Sequence, residues 1–523
     1  MMKKISALIA VLLFILVPGC KNNTAPTEPT NGAAADMAIR DEDAEAKSII
    51  HLQMREVDVL DPILTKHQSV RDGLMTVFEP LYNINASFGA EAVLAESFAF
   101  NSNATIMTLK VKAGVLWHNG HQLNADDVVY TVNKIKQNPS SSYYANLETV
   151  ERVEKQSDYE VVFYFNRPNA QFVYSLYFPI EFRNSDTAGG LIGTGPYMFQ
   201  KTDGKSLTLT KNAAWHGGNA QAEGVEFIYM RTSAMAEEAF ESGKIHAITK
   251  EMLDTENFAV KKTHKKYVYP DGIFEFVGFN ANRGIFKSPL IRIAASNAID
   301  RSEMEIVFAD AVQSGFPVMS RSEVFSPSFE VNRYSLDWAR EVIFSAGWTD
   351  LDGDGIYDKT VGEETQRLSF SLLVADRDPL RALAAEKIKA QLEKAGFEVT
   401  VEICDIETYN TRVAGGEYDA FLGAVYYDAP YDVSDLLSSK GYVNYQGYKS
   451  TQMDNALTAF QSASDENEAP KAFNEIQSLY MAHQPIAGLV FRTTYVVTTP
   501  SIGGEVKPYP YSPYANIANW TVE

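Results

Sequence analysis

The sequence contains little cysteine and little positive charge. Cys20 and Cys404 are its only cysteines among 523 residues, and 46 Lys and Arg stand against 67 Asp and Glu, for a formal net charge of −21. With so few cysteines the fold cannot depend on a disulfide framework, so it must rest on its apolar core. An acidic surface repels phosphate backbones, which argues against a nucleic-acid partner.

Recognisable catalytic motifs are missing as well. The sequence has no H-E-x-x-H, G-x-S-x-G, Walker A or C-x-x-C pattern, and its eight histidines are scattered. Catalysis needs a nucleophile, a base or metal ligands grouped together, so we predict that the protein is not an enzyme and needs no cofactor. A secreted hydrolase that uses paired carboxylates is the alternative.

An apolar run near the N-terminus indicates export. It extends from Ile5 to Val17, after the basic residues Lys3 and Lys4. The run is shorter than the roughly 20 residues that span a bilayer. Residues 1–19 therefore read as a secretory signal peptide.

Cys20 ends the segment Val17-Pro18-Gly19-Cys20, which resembles a bacterial lipobox. The resemblance implies that Cys20 is diacylated and that the chain is cut before it, which anchors the protein on a bacterial membrane facing the periplasm or the cell exterior. An ordinary cleavage site beside a free cysteine is the alternative. Residues 20–47 are polar and rich in Thr, Pro and Ala, so they predict a disordered tether behind the lipid.

The remaining chain exceeds the size of a single core and predicts two or three lobes. Its apolar periodicity switches repeatedly between the strand and helix periods. Strand-like runs include Ser48–Leu52, Glu160–Phe165 and Glu398–Ile403, and helical stretches include Ala125–Lys136 and Leu380–Ala395. The mixture indicates the α/β class.

Two local patterns predict backbone features. Asn124 precedes a helical stretch as a candidate N-cap, with Asp126 and Asp127 in the first turn, where the helix dipole favours negative charge. The sequence Gly193–Tyr197 (GTGPY) combines two glycines with a proline, which indicates a tight crossing of two backbone segments.

Several short motifs occur in a fixed order along the chain. They are Val59–Pro62 (VLDP), Val77–Tyr82 (VFEPLY), Leu94–Ser97 (LAES), Leu109–Val132, Gly193–Tyr197 (GTGPY), Lys211–Gly218, Phe279–Arg301 and Ala346–Trp348 (AGW). Their order and spacing resemble family 5 extracellular solute-binding proteins, the oligopeptide, dipeptide and nickel type. The resemblance extends from about residue 52 to the C-terminus.

The resemblance implies a two-lobe periplasmic-binding-protein-like fold of type II with an extra subdomain. Lobe I would be assembled from residues 48–90, 193–279 and 488–523, the extra subdomain from 91–192, and lobe II from 280–487. Ligand would sit in the cleft between the lobes and favour their closure.

The family also implies the biological role. The protein would act as a monomer that captures a short peptide or similar small solute and delivers it to the permease subunits of an ABC importer. A nickel chelate, an oligosaccharide or a signalling peptide are alternative ligands.

A peptide carries an ammonium and a carboxylate, and a buried site must pair both. The segment 417–437 places Tyr426 and Tyr427 after a strand-like run and before several carboxylates. The family pattern implies that Asp432 meets the ligand's amino group, with Asp428 as the competing match. The two tyrosines would form walls of the site. A solvated acidic loop is the alternative.

Arg377 is the candidate partner for the ligand's carboxylate. It resembles the position from which dipeptide-type members offer a cation. The alternative is a surface arginine at the start of a helix.

A last pattern suggests a metal. Asp350, Asp352, Asp354 and Asp358, with Gly355 at the turn, resemble the start of a D-x-D-x-D-G calcium loop. A structural Ca²⁺ site and a plain acidic turn both fit the spacing.

Overall fold

The structure is a computed structural model that describes residues 48–184, 191–253, 258–319, 324–329, 331, 333–427, 432–464 and 468–523. All of them fall in one structural unit, Asp43–Glu523. The predicted signal peptide, the lipidation site Cys20, the tether and Asp428 lie outside the described residues. Within those ranges, no helix combines the length and the apolar character needed to cross a membrane.

Strands and helices alternate along the chain, which confirms the predicted α/β class. The strands of the described residues are β1 (Ile49–Arg55), β2 (Tyr82–Ile84), β3 (Ala90–Ala92), β4 (Ala95–Phe100), β5 (Ile106–Val111), β6 (Val150–Ser157), β7 (Glu160–Phe165), β8 (Tyr197–Thr202), β9 (Ser206–Lys211), β10 (Gly224–Met230), β11 (Ala247–Thr249), β12 (Lys265–Phe279), β13 (Val312–Gln313), β14 (Asp358–Val361), β15 (Glu364–Arg367), β16 (Ser369–Ala375), β17 (Glu398–Cys404), β18 (Ala420–Tyr426), β19 (Ile486–Thr498), β20 (Ile502–Gly504) and β21 (Trp520–Val522).

The helices are mostly short and lie against these strands. Those of the described residues are α1 (Gln68–Leu74), α2 (Ala125–Gln137), α3 (Ser233–Glu241), α4 (Pro289–Asn297), α5 (Arg301–Val307), α6 (Leu336–Ser345), α7 (Pro379–Lys394), α8 (Ile406–Gly415), α9 (Ser434–Leu437), α10 (Thr451–Ser462) and α11 (Glu468–His483).

One long mixed sheet forms the backbone of the fold. Its strand order is β17-β16-β18-β12-β19-β11-β1-β10-β9-β8, and β13 adds to β19. Strands β8–β11 with β1 surround one apolar core, which includes Leu52, Phe227 and Trp520. Strands β16–β18 pack against a different core, which includes Leu372 and Leu422. The sheet thus serves two lobes.

Strands β12 and β19 cross from one lobe to the other. Residues 265–270 of β12 pair with 493–498 of β19, and after an irregularity at 270–274 the strand pairs with β18 through residues 273–279. Gly272 occupies this irregularity with a φ of 86°. Both strands therefore carry pairings of both lobes, with the irregularity between Pro270 and Phe274; the boundaries at 279/280 and 487/488 stay a prediction.

A separate four-stranded sheet, β4-β5-β7-β6, builds the extra subdomain together with α2. Its core contains Trp117 and Phe163, and it also recruits Ile63, Leu81 and Tyr82 from the chain that precedes residue 91. Asn124 caps α2 as predicted: its side chain accepts from the N–H of Asp126, and the N–H of Asn124 donates to the Asp127 carboxylate. Such a reciprocal cap stabilises a helix start by about 1 kcal/mol.

The GTGPY segment contacts the chain after α1 at very short range. A Cβ at Gly193 would lie 1.8 Å from the carbonyl oxygen of Val77, and one at Gly195 would lie 2.8 Å from that of Thr76. The N–H of Gly195 donates to the Val77 carbonyl at 2.9 Å. The tight crossing that the glycines predict is therefore present.

Candidate solute-binding site

A cavity of about 820 Å³, here called the cleft cavity, lies where the crossing strands meet lobe I and the subdomain. Lobe II reaches it through Tyr426, at the end of β18. Its volume falls within the roughly 300–1,000 Å³ typical of small-molecule sites. Charged groups of both signs line it.

Two cations face the cleft cavity, and both already donate hydrogen bonds to uncharged groups. The guanidinium of Arg71 donates to the carbonyl oxygen of Thr65 at 3.2 Å and to Oε1 of Gln68 at 2.5 Å. Nζ of Lys250 donates to the carbonyl oxygen of Thr493 at 2.8 Å. Burial lowers the pKa of Lys250. Each cation keeps further N–H groups for an anionic ligand group.

Three carboxylates share this cavity. Asp72 is only 6% exposed, and burial followed by the nearby charge of Glu251 raises its pKa well above the usual range. Burial also raises the pKa of Glu251 and of Asp271. The cavity therefore offers acceptors for a cation as well as donors for an anion.

Four tyrosines form a row along the cleft cavity, here called the tyrosine row: Tyr143, Tyr177, Tyr511 and Tyr426. The rings of Tyr143 and Tyr177 meet edge to face at 6.2 Å, those of Tyr177 and Tyr511 stack at 4.8 Å, and those of Tyr511 and Tyr426 meet edge to face at 6.4 Å. The row joins the subdomain, the C-terminal part of lobe I and lobe II.

A smaller cavity of about 220 Å³, here called the side cavity, lies between the subdomain and lobe II. It brings together three residues predicted from the sequence: Tyr426, Tyr427 and Asp432. Asp435 joins them, and partial burial and the Asp432 charge raise its pKa. Tyr426, 50% exposed, lines both cavities, so the two are neighbours.

The side cavity is lined by charged groups of both signs. Among the described residues, neither Asp432 nor Asp435 has a cationic nitrogen within 4 Å, although Arg167 lines the same cavity, pairs with Glu148 at 3.3 Å and acts on Asp435 through its charge. Both aspartates are exposed, and Oδ1 of Asp432 accepts from the N–H of Ser434 at 2.9 Å. An ammonium group would find two carboxylates there.

Tyr427 differs from Tyr426 in being 8% exposed. Its ring packs in the lobe II core, while its peptide group bridges the cleft. The N–H of Tyr427 donates to the carbonyl of Gly272 at 3.1 Å, and its carbonyl accepts from the Tyr511 hydroxyl at 2.6 Å. A further contact joins the lobes where the N–H of Ala170 donates to the carbonyl of Gln461 at 2.7 Å.

Arg377 is not brought to the other predicted residues. It is exposed and lines neither the cleft cavity nor the side cavity. One helical turn later, Arg381 donates two hydrogen bonds of 3.0 Å to Glu275, which is fully buried. Arg492 also bonds Glu275, at 2.7 Å, and Asp378, at 2.5 Å.

This ion cluster joins the two crossing strands to the start of α7 and was not predicted from the sequence. Glu275 and Arg492 are separated by 217 residues along the chain. No local pattern signals such a pair, although a glutamate inside the apolar run Phe274–Phe279 indicates a buried charge that needs a partner.

The acidic turn after α6 gathers three of its four predicted carboxylates. Ligand atoms of Asp350, Asp352 and Asp354 lie within 4.8 Å of one another, whereas Asp358 is not part of the group. The Asp350 carboxylate accepts from the N–H groups of Gly353 and Gly355, and Asp354 pairs with Arg367 at 2.5 Å. Hydrogen bonds and an ion pair within this region thus already engage the carboxylates of Asp350 and Asp354.

Two lobes joined by two crossing strands, with a charged cavity between them, define a ligand-binding protein of the two-lobe periplasmic type. The family model "Bacterial extracellular solute-binding proteins, family 5 Middle" matches residues 90–446. The chain belongs to this family, which confirms the predicted resemblance. It is an extracytoplasmic substrate-binding component of the ABC-importer class.

Individual proteins resemble the chain along most of its length. The oligopeptide-binding protein AppA of Bacillus subtilis is 24% identical over 459 residues, which covers 82% of each chain. Among solved structures, the unliganded open form of the periplasmic murein tripeptide binding protein MppA has a TM-score of 0.76 at 17% identity, covering 91% of this chain and 97% of MppA. NikZ from Campylobacter jejuni, in complex with Ni(L-His), has a TM-score of 0.62 at 20% identity, covering 91% and 99%.

Proposed function

We propose that the protein captures a short peptide in the cleft cavity and passes it chemically unchanged to an ABC permease. The observation that carries this proposal is the presence of both signs of charge in one cavity between the lobes. A peptide is a zwitterion, and a partly buried site must meet both of its ends. The relatives described as peptide-binding support the same ligand class.

The ammonium end would bind in the side cavity. Among the described residues, no cationic nitrogen lies within 4 Å of Asp432 or Asp435, and Tyr426 would guide the peptide from one cavity into the other. The carboxylate end would lie in the cleft cavity, where Arg71 and Lys250 retain unused N–H groups. Arg377 would contact the ligand's carboxylate only after a rearrangement of the lobes.

Mass spectrometry of ligand released from the purified protein tests the proposal directly. We expect peptides with free amino ends. In thermal-shift titrations, a tripeptide should raise the melting temperature and its N-acetylated form should not, since acetylation removes the charge that Asp432 would pair. Asp432→Asn should abolish the difference, whereas Asp337→Asn, at a carboxylate that is 93% exposed, should preserve it. If the parent protein bound the free and the N-acetylated tripeptide equally well, and Asp432→Asn did the same, Asp432 would not be the partner of the ligand's ammonium group.

A nickel chelate is the second candidate, favoured by the structural likeness to NikZ. Imidazole is a preferred nickel ligand. Within the described residues no histidine lines the cleft cavity, so nickel would have to bring its own ligands. Calorimetry with nickel–histidine, run beside a tripeptide, separates the two candidates.

We infer that the protein acts without catalysis as a monomer anchored through Cys20. A diacylated cysteine after a polar tether would keep the binding lobes beside the permease. Intact-mass analysis should find the lipid on the parent chain, and Cys20→Ser should release the protein into the soluble fraction. An unmodified Cys20 in the membrane fraction would contradict the anchor.

We propose that the acidic turn at 350–358 works without a metal ion. Backbone N–H groups and Arg367 already neutralise two of its carboxylates. The melting temperature should stay the same in Ca²⁺ and in EDTA. A rise in Ca²⁺ that Asp352→Asn removes would establish a calcium site instead.

A further inference from the structure

The cleft cavity holds more acidic and aromatic groups than the two ends of a peptide require. If the ammonium end binds at Asp432, the carboxylates of Asp72, Glu251 and Asp271 remain on the lobe I side. Asp271 has Lys250 nearby as a counter-charge. Asp72 has the charge of Arg71 nearby and Glu251 those of Arg55 and Arg71, but among the described residues neither carboxylate accepts a hydrogen bond from a cation.

Asp72 is a buried carboxylate with a weak set of partners. It is 6% exposed, and its carboxylate accepts a hydrogen bond from the neutral amide of Gln68, at 2.6 Å to Oδ1. The adjacent Arg71 donates to Thr65 and Gln68 and not to Asp72. Within the described ranges, no cationic nitrogen lies within 4 Å of Asp72. Burying a carboxylate in this way is costly unless a ligand supplies the missing partner.

Glu251 adds a second, more accessible carboxylate to the same wall. Its side chain is 36% exposed, and the nearest cationic nitrogen, Nε of Arg55, is 3.8 Å away, at the limit of an ion pair. The charges of Asp72 and Glu251 disfavour each other. A cation placed between them would relieve both the repulsion and the cost of burial.

The tyrosine row supplies a surface suited to the stem of such a cation. Tyr143, Tyr177, Tyr511 and Tyr426 line the cavity that contains the two carboxylates, and Tyr269 lies beside Asp72. Tyrosine faces attract ammonium and guanidinium groups and pack against methylene chains. A site that combines two carboxylates with aromatic walls fits a long cationic side chain. It fits an acidic side chain or a short side chain less well.

We propose that Asp72 and Glu251 bind a cationic side chain of the ligand, lysine-like or arginine-like, whose stem packs along the tyrosine row. This inference rests on the proposed peptide-binding function and narrows it to peptides with a basic residue. It also accounts for the two lobe I carboxylates that the peptide ends leave without a role.

Calorimetry with three matched tripeptides tests the proposal: Ala-Lys-Ala, Ala-norleucine-Ala and Ala-Glu-Ala. They share both ends and differ in one side-chain charge, while norleucine retains the apolar stem. We expect the lysine peptide to bind about tenfold more tightly than the norleucine peptide, and the glutamate peptide to bind most weakly.

Variants assign the preference to the two carboxylates. Asp72→Asn and Glu251→Gln should each reduce the lysine-to-norleucine affinity ratio to about threefold or less, with norleucine binding retained. Glu386→Gln, at an exposed carboxylate on α7, should leave the ratio unchanged. If Asp72→Asn does not fold, Glu251→Gln carries the test alone, because its side chain is more exposed.

Proton release gives a readout that a structural role would not change. Binding a cation should lower the raised pKa values of Asp72 and Glu251, so calorimetry in buffers of different ionisation enthalpy should detect protons released with the lysine peptide and fewer with norleucine. The charged and titratable groups that face this pair are Arg55, His67, Arg71, Tyr143, Tyr269 and Tyr514. No difference in proton release would count against the site.

The outcomes separate the inference from the function on which it rests. Equal affinities for the lysine and norleucine peptides would overturn the cationic subsite and leave peptide binding in place. Failure of all three tripeptides to bind would overturn the proposed function itself.

Discussion

His246 shows how a single backbone contact fixes the charge of a side chain. Its Nδ1 accepts from the N–H of His51 at 3.1 Å, which requires an unprotonated nitrogen. Burial and the neighbouring His51 lower the pKa of His246 to about 4. The unfolded chain has a histidine pKa of about 6.5, so acid protonates the unfolded state first.

The sign of this shift predicts acid sensitivity. Stability should fall as the pH drops from about 6.5 to about 4, by about 1–2 kcal/mol after allowance for partial exposure of the ring. His246→Gln retains an acceptor and should flatten the decline. Urea unfolding at pH 7 and pH 4.5 measures it, and an equal decline in both proteins would refute the assignment.

Glu275 should contribute more to the free energy of unfolding than His246 does. It is fully buried and bonded to both Arg381 and Arg492, so its replacement leaves two partly buried cations without their shared partner. Glu275→Gln should lower the free energy of unfolding by about 3–5 kcal/mol. Glu386→Gln is the exposed control, and a loss no larger than the control's would show that the cluster adds nothing.

These residues also mark what local sequence could predict. Asn124 was identified as a cap because its partners lie two and three residues away. Asp432, Tyr426 and Tyr427 were found together because they lie within seven residues of one another in the sequence. Asp72, Glu251 and Glu275 were missed, since each depends on groups that only the fold brings near. Arg377 was selected by position, but its side chain faces solvent, and Arg381 makes the buried contacts.

At the scale of elements, the GTGPY segment and the chain after α1 are held at a separation that excludes a side chain. Gly193→Ala would place a Cβ 1.8 Å from the Val77 carbonyl oxygen, so the two segments must move apart. We expect a loss of about 2–4 kcal/mol, comparable to other severe backbone conflicts.

Gly415→Ala is the matched control for this substitution. Its added Cβ would have its nearest neighbour at 3.6 Å, at the end of α8, so stability should be unchanged or slightly higher. Thermal unfolding of both variants measures the contrast. A Gly193→Ala protein as stable as the control would show that the crossing is not tight in solution.

At the scale of the whole molecule, two hydrogen bonds among the described residues join lobe II to the rest across the cleft. The Tyr511 hydroxyl donates to the Tyr427 carbonyl, and Ala170 donates to Gln461. Apolar packing of Ile84 and Phe88 with lobe II residues adds to these hydrogen bonds. A ligand that binds only the joined form would shift the balance between joined and separated lobes.

Tyr511→Phe should therefore shift the ligand-free protein towards separated lobes. Small-angle scattering should report a larger radius of gyration than for the parent, and added tripeptide should narrow the gap. A variant with an unchanged radius would mean that this hydroxyl does not hold the lobes together.

The global architecture was the part best predicted from sequence. The ordered motifs span the whole chain, so their combined spacing fixes the fold even though each one is short. The lobe boundaries are harder to predict from sequence, because β12 and β19 each continue as one strand whose pairings belong to both lobes.

The continuity of β12 and β19 has a consequence for how the chain matures. Most residues of the lobe II cores lie between these two strands or within them, ahead of the last segments of lobe I in the sequence. Lobe I needs residues 493–498, which pair with both β11 and β12, and Trp520, which lies in its core. Because these contacts join residues that are distant in sequence, we expect lobe I to complete its core later than lobe II and to be cut first by a protease added during refolding.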